Sequence, residues 1–244
     1  AGSILAALPP GAAEKVTANL PTPPVSASSS SSSSTSWSSD RIGLIVGGGG
    51  TTRTSIFTLR FRLGCGPIYI INRLAEEVET IIADFAAKGV HDVHHLQTPE
   101  DVTRVFEAEK RMPEFIINAI PSYEPQTDGE KLARKTLLKV LALPQQQQQR
   151  GASLQRPTLL EMAYHPTVLT PISLHAESQG WNVVLGVECM YHQAIAQQHL
   201  WLSPPESDDE RRKLDEVMLK AGRDVAEDIL RARGAFNRPS TTSV

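Results

Sequence analysis

Two cysteines, three tryptophans and four tyrosines are spread over 244 residues, and no apolar run approaches the length of a membrane span. A helix that crosses a bilayer needs roughly 18 or more consecutive apolar residues, so the sequence predicts no membrane partner. Cys65 and Cys189 are too distant in sequence for a disulfide framework, and they lack the paired spacing of zinc ligands. They read as two free thiols in a reducing compartment. An excess of one charge is also missing: 24 basic residues face 27 acidic ones, for a net charge of −3. Without a broad basic field, direct nucleic-acid binding has no electrostatic support. The start, AGSILAALPPGAA, lacks the basic region of a signal peptide, and Pro9-Pro10 interrupts its apolar stretch. A first residue of Ala rather than Met fits a fragment or an incomplete gene model.

What is present is organised unevenly. Residues 21–39 are low in complexity and rich in serine. They bury too little apolar area to offset the entropy of ordering, and read as a disordered, flexible linker. Gln145 to Gln149 reads as a surface insertion in a loop. Between these tracts strands and helices alternate. The apolar runs predict strands at 42–46, 67–71, 92–95, 115–118, 158–162 and 181–185. Helical spacing predicts helices over 55–63, 74–88, from Pro99, over 129–143, 171–179 and 188–202. Ser207 to Glu210 fits a capping box that opens a final helix reaching about Arg233. Its apolar stripe, from Leu214 to Ile229, suits either closure of the domain or a partner face. The order predicts an α/β fold with a Rossmann-like, doubly wound parallel sheet, preceded by the Ser-rich segment and followed by a C-terminal helix. The divisions expected are 1–39, 40–203 and 204–244.

The chemistry begins at LIVGGGGTTRTS. A glycine-rich turn between a buried strand and a helix lets the backbone approach a pyrophosphate, and the helix N-terminus favours the anion. Gly47 and Gly49 fit the first two glycines of the dinucleotide fingerprint, and Thr52 stands where the third usually lies. NAD-binding sites commonly place a carboxylate at the end of the second strand. Here that strand ends in Asn72-Arg73. No acid there repels a 2′-phosphate and a guanidinium can pair with one, which predicts NADP.

The segment 44–73, LIVGGGGTTRTSIFTLRFRLGCGPIYIINR, resembles the cofactor-binding domain of shikimate dehydrogenases. Gly47, Gly49, Gly50, Arg53, Asn72 and Arg73 match that family's turn and second-strand end, while Leu74 replaces its usual Thr. INAIP at 117–121 resembles the fourth-strand turn, LLEMAYHP at 159–166 the fifth-strand motif, and LGVECMYHQAIAQQHLWL at 185–202 the helix that returns to the substrate cleft. The similarity covers roughly residues 40–203. Its details resemble the dehydrogenase-like part of the fungal pentafunctional arom protein and the related quinate-pathway repressor. The resemblance implies an NADP site formed by Gly47, Gly49, Gly50, Thr51, Thr52, Arg53, Asn72, Arg73, Ala119, Ile120 and Pro121, with Gly186 near the nicotinamide. It also implies that Tyr164 and Gln193 contact a shikimate- or quinate-type substrate.

The family's catalytic Lys and Asp belong to an N-terminal substrate domain. The AGSILAAL start resembles the stretch that follows it. No catalytic residue is therefore assigned here. His91, His94 and His95 read as polar residues near the third strand rather than metal ligands. Three functions remain open. One is a repressor-like module that senses a metabolite and contacts a transcriptional activator. Another is the NADP-binding part of a shikimate dehydrogenase that oxidises shikimate to 3-dehydroshikimate. The last is a purely structural domain. The chain alone is expected to be inactive, and its location cytoplasmic, or nuclear if it acts in regulation.

Overall fold

A computed structural model describes residues 41–144, 149–150, 153–154, 156–202 and 205–236. The Ser-rich linker at 21–39 and most of the glutamine tract lie outside the described residues. The chain alternates β1 (Gly43–Val46), α1 (Gly50–Leu63), β2 (Ile68–Ile71), α2 (Ala75–Ala86) and β3 (Val93–His95). There follow α3 (Pro99–Val102), a π-helical turn at Thr103–Glu107, β4 (Phe115–Asn118) and α4 (Asp128–Leu141). A two-residue pair, β5 (Gln149–Arg150) and β6 (Ser153–Leu154), precedes β7 (Thr158–Glu161), α5 (Pro171–Ser178), β8 (Asn182–Leu185), α6 (Gly186–Trp201) and α7 (Asp208–Ala232).

Six strands form one parallel sheet in the order β3-β2-β1-β4-β7-β8. This is the doubly wound, Rossmann-like architecture expected from the sequence. β1 and β4 are buried at every position, because helices cover both faces. Alternate residues of one strand feed opposite cores: Ile45 packs with Ile56, Leu59, Val78 and Ile81 of α1 and α2. Leu44 and Val46 pack instead with Phe106, Leu137, Val140 and Ile172 on the other face. The unbroken apolar runs LIV, IYII and FIIN are thus two alternating faces read together.

Two helix starts and one cap differ markedly from the sequence reading. α1 begins at Gly50 rather than Ser55, because the glycine run itself supplies the first turn. α6 begins at Gly186 rather than Glu188, since Gly186 abuts the end of β7. A Cβ there would lie 2.4 Å from the carbonyl oxygen of Met162, so only glycine admits this approach. The capping box expected at Ser207 does not form: Ser207 makes no side-chain cap. The first-turn carboxylates Asp208 and Asp209 instead pair with Arg211 and Arg212, at 3.3 and 2.6 Å. The β5–β6 pair went unread because two-residue strands carry no periodic signal.

α7 closes one side of the fold and leaves another face open. Leu219, Ala226 and Leu230 pack with Val187 and Tyr191 of α6, and Arg223 pairs with Glu188. Leu214, Val217, Val225 and Ile229 remain exposed.

Gly186→Ala is expected to destabilise the chain by about 1–3 kcal/mol, because a buried Cβ would have to displace backbone. Urea denaturation measures it, and an unchanged midpoint would contradict the close approach.

Candidate functional site

In an open parallel sheet the ligand crevice lies beyond the carboxyl ends of the strands, where the winding reverses. Here that point is between β1 and β4. Each strand end contributes something specific. After Val46 the chain turns at Gly47, whose φ of +126° is a conformation that side chains disfavour. The Gly47 amide donates to the Ile71 carbonyl at 2.8 Å, tying the loop to β2. Thr52, fully buried, donates its hydroxyl to the Gly47 carbonyl at 2.8 Å. Where a third glycine would pack by its smallness, Thr52 satisfies the loop by a hydrogen bond.

Within the run, Gly48 has the closest neighbours, the ends of two side chains. A Cβ there would meet Asn72 Nδ2 and Glu77 Oε2, each at 2.4 Å. Gly49 and Gly50 have nothing within 4 Å of such a Cβ, which leaves the loop's outer surface open to a ligand. Among the described α-helices, α1 alone has neither a side-chain cap nor an acid in its first turn. Its first amide N–H groups and the positive end of its dipole are therefore available to an anion.

The loop forms one wall of a cavity of about 800 Å³, a size that suits a nucleotide-scale ligand. Asn72, Arg73 and Glu77 form a second wall, Ala119 to Pro121 a third, and Tyr123, Gln126, Glu130 and Arg134 close the far side. Charges on the rim are tied to one another. Asn72 donates to Glu77 at 2.7 Å. Arg73 donates to Glu130 at 2.5 Å. Glu130 also accepts the amides of Gln126 and Thr127, at 2.9 and 3.0 Å, as the reciprocal half of a capping box on α4. These backbone donors, with the Arg73 guanidinium, pull its carboxyl down to about 2.

Behind this cavity lies a buried polar cluster. Glu161, at the end of β7, is 1% exposed. Both its oxygens accept from Asn118 Nδ2, at 2.9 and 3.1 Å. The Thr170 hydroxyl and the Ala163 amide donate as well, at 3.0 and 3.1 Å. Burial pushes the Glu161 carboxyl up to about 7, although Asn118, Ala163, Thr170 and the charge of Arg134 pull it down.

No protein-family model matches the chain. It is 39% identical over 158 residues to a quinate dehydrogenase of Emericella nidulans, covering 65% of this chain and 46% of that protein. To the pentafunctional AROM polypeptide of Scheffersomyces stipitis it is 34% identical over 155 residues, 64% of the chain and 9% of the relative. Its fold superimposes on the dehydroquinate dehydratase and shikimate dehydrogenase portion of the S. pombe AroM protein, with a TM-score of 0.53 at 25% identity over 67% of this chain and 28% of that one. This is a shikimate/quinate dehydrogenase-like domain. A quinate dehydrogenase from Corynebacterium glutamicum, solved in complex with NAD, shares the fold, with a TM-score of 0.50 at 16% identity over 75% of this chain and 54% of that one. The chain spans less than half the length of the curated relatives it matches.

Within this dehydrogenase-like domain, Gly47, Gly49, Asn72, Arg73, Ala119, Ile120 and Pro121 border the same cavity. Gly50, Thr51, Thr52, Arg53 and Gly186 do not line it. Arg53 turns to α2 and pairs with Asp84 at 2.6 Å. Tyr164 and Gln193 are both exposed, also outside the cavity. His94 and His95 lie on edge strand β3, with His94 stacked 5.4 Å from Tyr69. Among the described residues, no group of three or more His, Cys, Asp or Glu side chains could hold a metal ion. Both cysteines are free, Cys65 buried and Cys189 partly so. No described helix is long and apolar enough to cross a membrane. Sequence reasoning missed Gly48, Glu77, Glu130 and the Asn118–Glu161 pair. The T-x-x-E box at 127–130 was readable, but not its position opposite Arg73.

The folded-state value for Glu161, about 7, exceeds the ordinary 4.5 of a glutamate. Its ionisation therefore opposes folding. The stability tied to this group is full below about pH 4.5 and is lost as pH rises through about 7. Melting temperature in wild type should fall over that window, and Glu161→Gln should remove that component of the fall. Parallel profiles for the two proteins would refute the assignment.

Proposed function

We propose that this domain binds NADP across the crevice, as the nucleotide-binding part of a longer fungal quinate- or shikimate-pathway protein. One observation carries the reading: the glycine loop that leads into the uncapped, acid-free start of α1 borders the same cavity as Arg73. The diphosphate would rest on the loop amides, and the nicotinamide would extend towards Ala119, Ile120 and Pro121. The adenosine 2′-phosphate would lie by Arg73, where it competes with Glu130 for the guanidinium. Gly50, Thr51, Thr52 and Arg53 would act from the first turn of α1, and Gly186 from the start of α6. Organisms of the relatives support the fungal assignment.

The substrate proposed is a shikimate- or quinate-type polyol. NADP supplies hydride acceptance when bound; the alcohol's proton needs an acceptor. Neither lysine nor histidine borders the cavity among the described residues. Tyr164 and Gln193, exposed beyond the cavity, would reach such a substrate in concert with a further domain of the longer protein. The second reading is a repressor-like sensor that contacts a transcriptional activator without turnover. A cytoplasmic location goes with the first reading and a nuclear one with the second.

Calorimetric titration is expected to show NADPH binding more tightly than NADH. Arg73→Ala should weaken NADPH by roughly tenfold, the loss of one charge-assisted contact, and leave NADH nearly unchanged. An unchanged NADPH affinity would remove the 2′-phosphate assignment, and no nucleotide binding would leave only a structural domain. The chain alone should show no detectable NADP-dependent oxidation of shikimate or quinate. Turnover by the longer protein supports the dehydrogenase reading; metabolite binding without turnover supports the sensor.

A further inference from the structure

Glu161 and Asn118 close adjacent strands at the same level of the sheet, paired in register. Asn118 leads directly into Ala119 to Pro121, which line the cavity. Glu161 leads into the turn that carries Tyr164. Every contact that Glu161 makes is from a donor: Asn118 Nδ2, the Thr170 hydroxyl and the Ala163 amide. Those donors reach it from three places, namely the end of β4, the start of α5 and the turn after β7. On β8 the residue in register is the apolar Leu185. From α4, Arg134 is the charged group acting on it. Asn118 Oδ1, on the other side of the amide, is buried and takes no hydrogen bond from the described residues.

The hydrogen bonds of this arrangement suit a carboxylate, whereas its burial favours the neutral acid. A protonated Glu161 needs an acceptor for its O–H: the Asn118 Nδ2 and Ala163 amide groups offer none, and Thr170 Oγ1, which already accepts the Ser173 amide, takes it only by turning its own hydrogen away from the carboxyl. Rotating the Asn118 amide by half a turn brings Oδ1 to the proton, but sends Nδ2 to the side where Oδ1 now has no partner. Either response, the turned hydroxyl or the turned amide, breaks a hydrogen bond that now reaches the carboxylate, so protonation rearranges the contacts that share it. One backbone tie limits how far this can spread: the Met162 amide donates to the Asn118 carbonyl at 2.9 Å. The Asn118 and Glu161 side chains therefore move against a fixed backbone, and the strain reaches the residues just beyond each.

We propose that Glu161 is a positioning residue of the dinucleotide site, whose buried carboxylate holds the turns after β4 and β7 in their binding arrangement. The proposal rests on the reading that a dinucleotide occupies the crevice. Glu161 does not touch the ligand; it acts through Asn118 and Ala163. Burial, which raises its carboxyl to about 7, brings the loss of this hold into the neutral range.

The test has two arms on the same protein. Nitrogen–proton NMR follows the Asn118 side-chain amide and the Ala163 backbone amide without nucleotide, from about pH 5.5 to 8.5. NADH affinity is then measured over that range, because NADH lacks the 2′-phosphate that would itself titrate. In wild type the two signals should shift together with one midpoint near 7, and NADH affinity should fall at least threefold as pH drops through it. In Glu161→Gln both the shift and the pH dependence of affinity should vanish. If that variant does not fold, Asn118→Ala, which removes a donor to the carboxylate, should move the wild-type midpoint to higher pH. Signals that titrate while NADH affinity stays flat overturn the positioning role and leave the dinucleotide reading intact. Signals that do not titrate overturn it as well. Failure of wild type to bind NADH or NADPH at any pH overturns both.

Discussion

Burial of β1 and β4 on both faces is the constraint from which the rest follows. Strands covered by helices on both sides must satisfy their backbone within the sheet and their side chains in two cores. The chain meets this by winding outward in opposite directions from the two strands, so that connections leave β1 towards β2 and β4 towards β7. Their ends diverge at that one place. The crevice is thus a consequence of topology, and the glycine loop, the Ala119–Pro121 turn and Glu161 gather there because they all sit at carboxyl ends of central strands.

Electrostatics divide the helix ends into those already satisfied and one left open. Thr98, Thr127 and Thr170 cap α3, α4 and α5, and carboxylates occupy the first turns of α2, α6 and α7. Capping a helix start with a side chain removes the site at which an anion could bind. At α1 the corresponding residues are glycines and threonines, and the only buried hydroxyl there, Thr52, is turned inward to the Gly47 carbonyl. Around the rim, two carboxylates that line the cavity are held by partners: Glu77 by Asn72 and Glu130 by Arg73 and its own capping amides. Negative charge at a site for an anionic ligand is thereby kept in defined places.

The dehydrogenase-like domain is also defined by what it matches only in part. Its curated relatives are more than twice as long as the region shared with this chain. Tyr164 and Gln193 are exposed and lie apart from the cavity at the strand ends. α7 is divided within one helix, with one face packed on α6 and another, carrying Val217, Val225 and Ile229, open.

Much of the fold was legible because its signals are local. Apolar runs marked five strands of the sheet, helical spacing marked the long helices, and LIVGGGG followed by Asn72-Arg73 marked the crevice and its walls. Each depends on residues within a few positions of one another, and periodicity reports those. The relations that shape the site are not local. Arg73 meets Glu130 across 57 residues and Asn118 meets Glu161 across 43. Gly48 faces the side-chain ends of Asn72 and Glu77, although nothing in the glycine run distinguishes it from Gly49. Gly186 is required because the Met162 carbonyl lies against it. By itself the sequence determined the succession of elements, the sheet they build and the strand end at which a phosphate could rest. Only the tertiary structure decided which charges are paired, which glycine is indispensable and which carboxylate is buried, because those depend on distances that exist only after the chain has closed on itself.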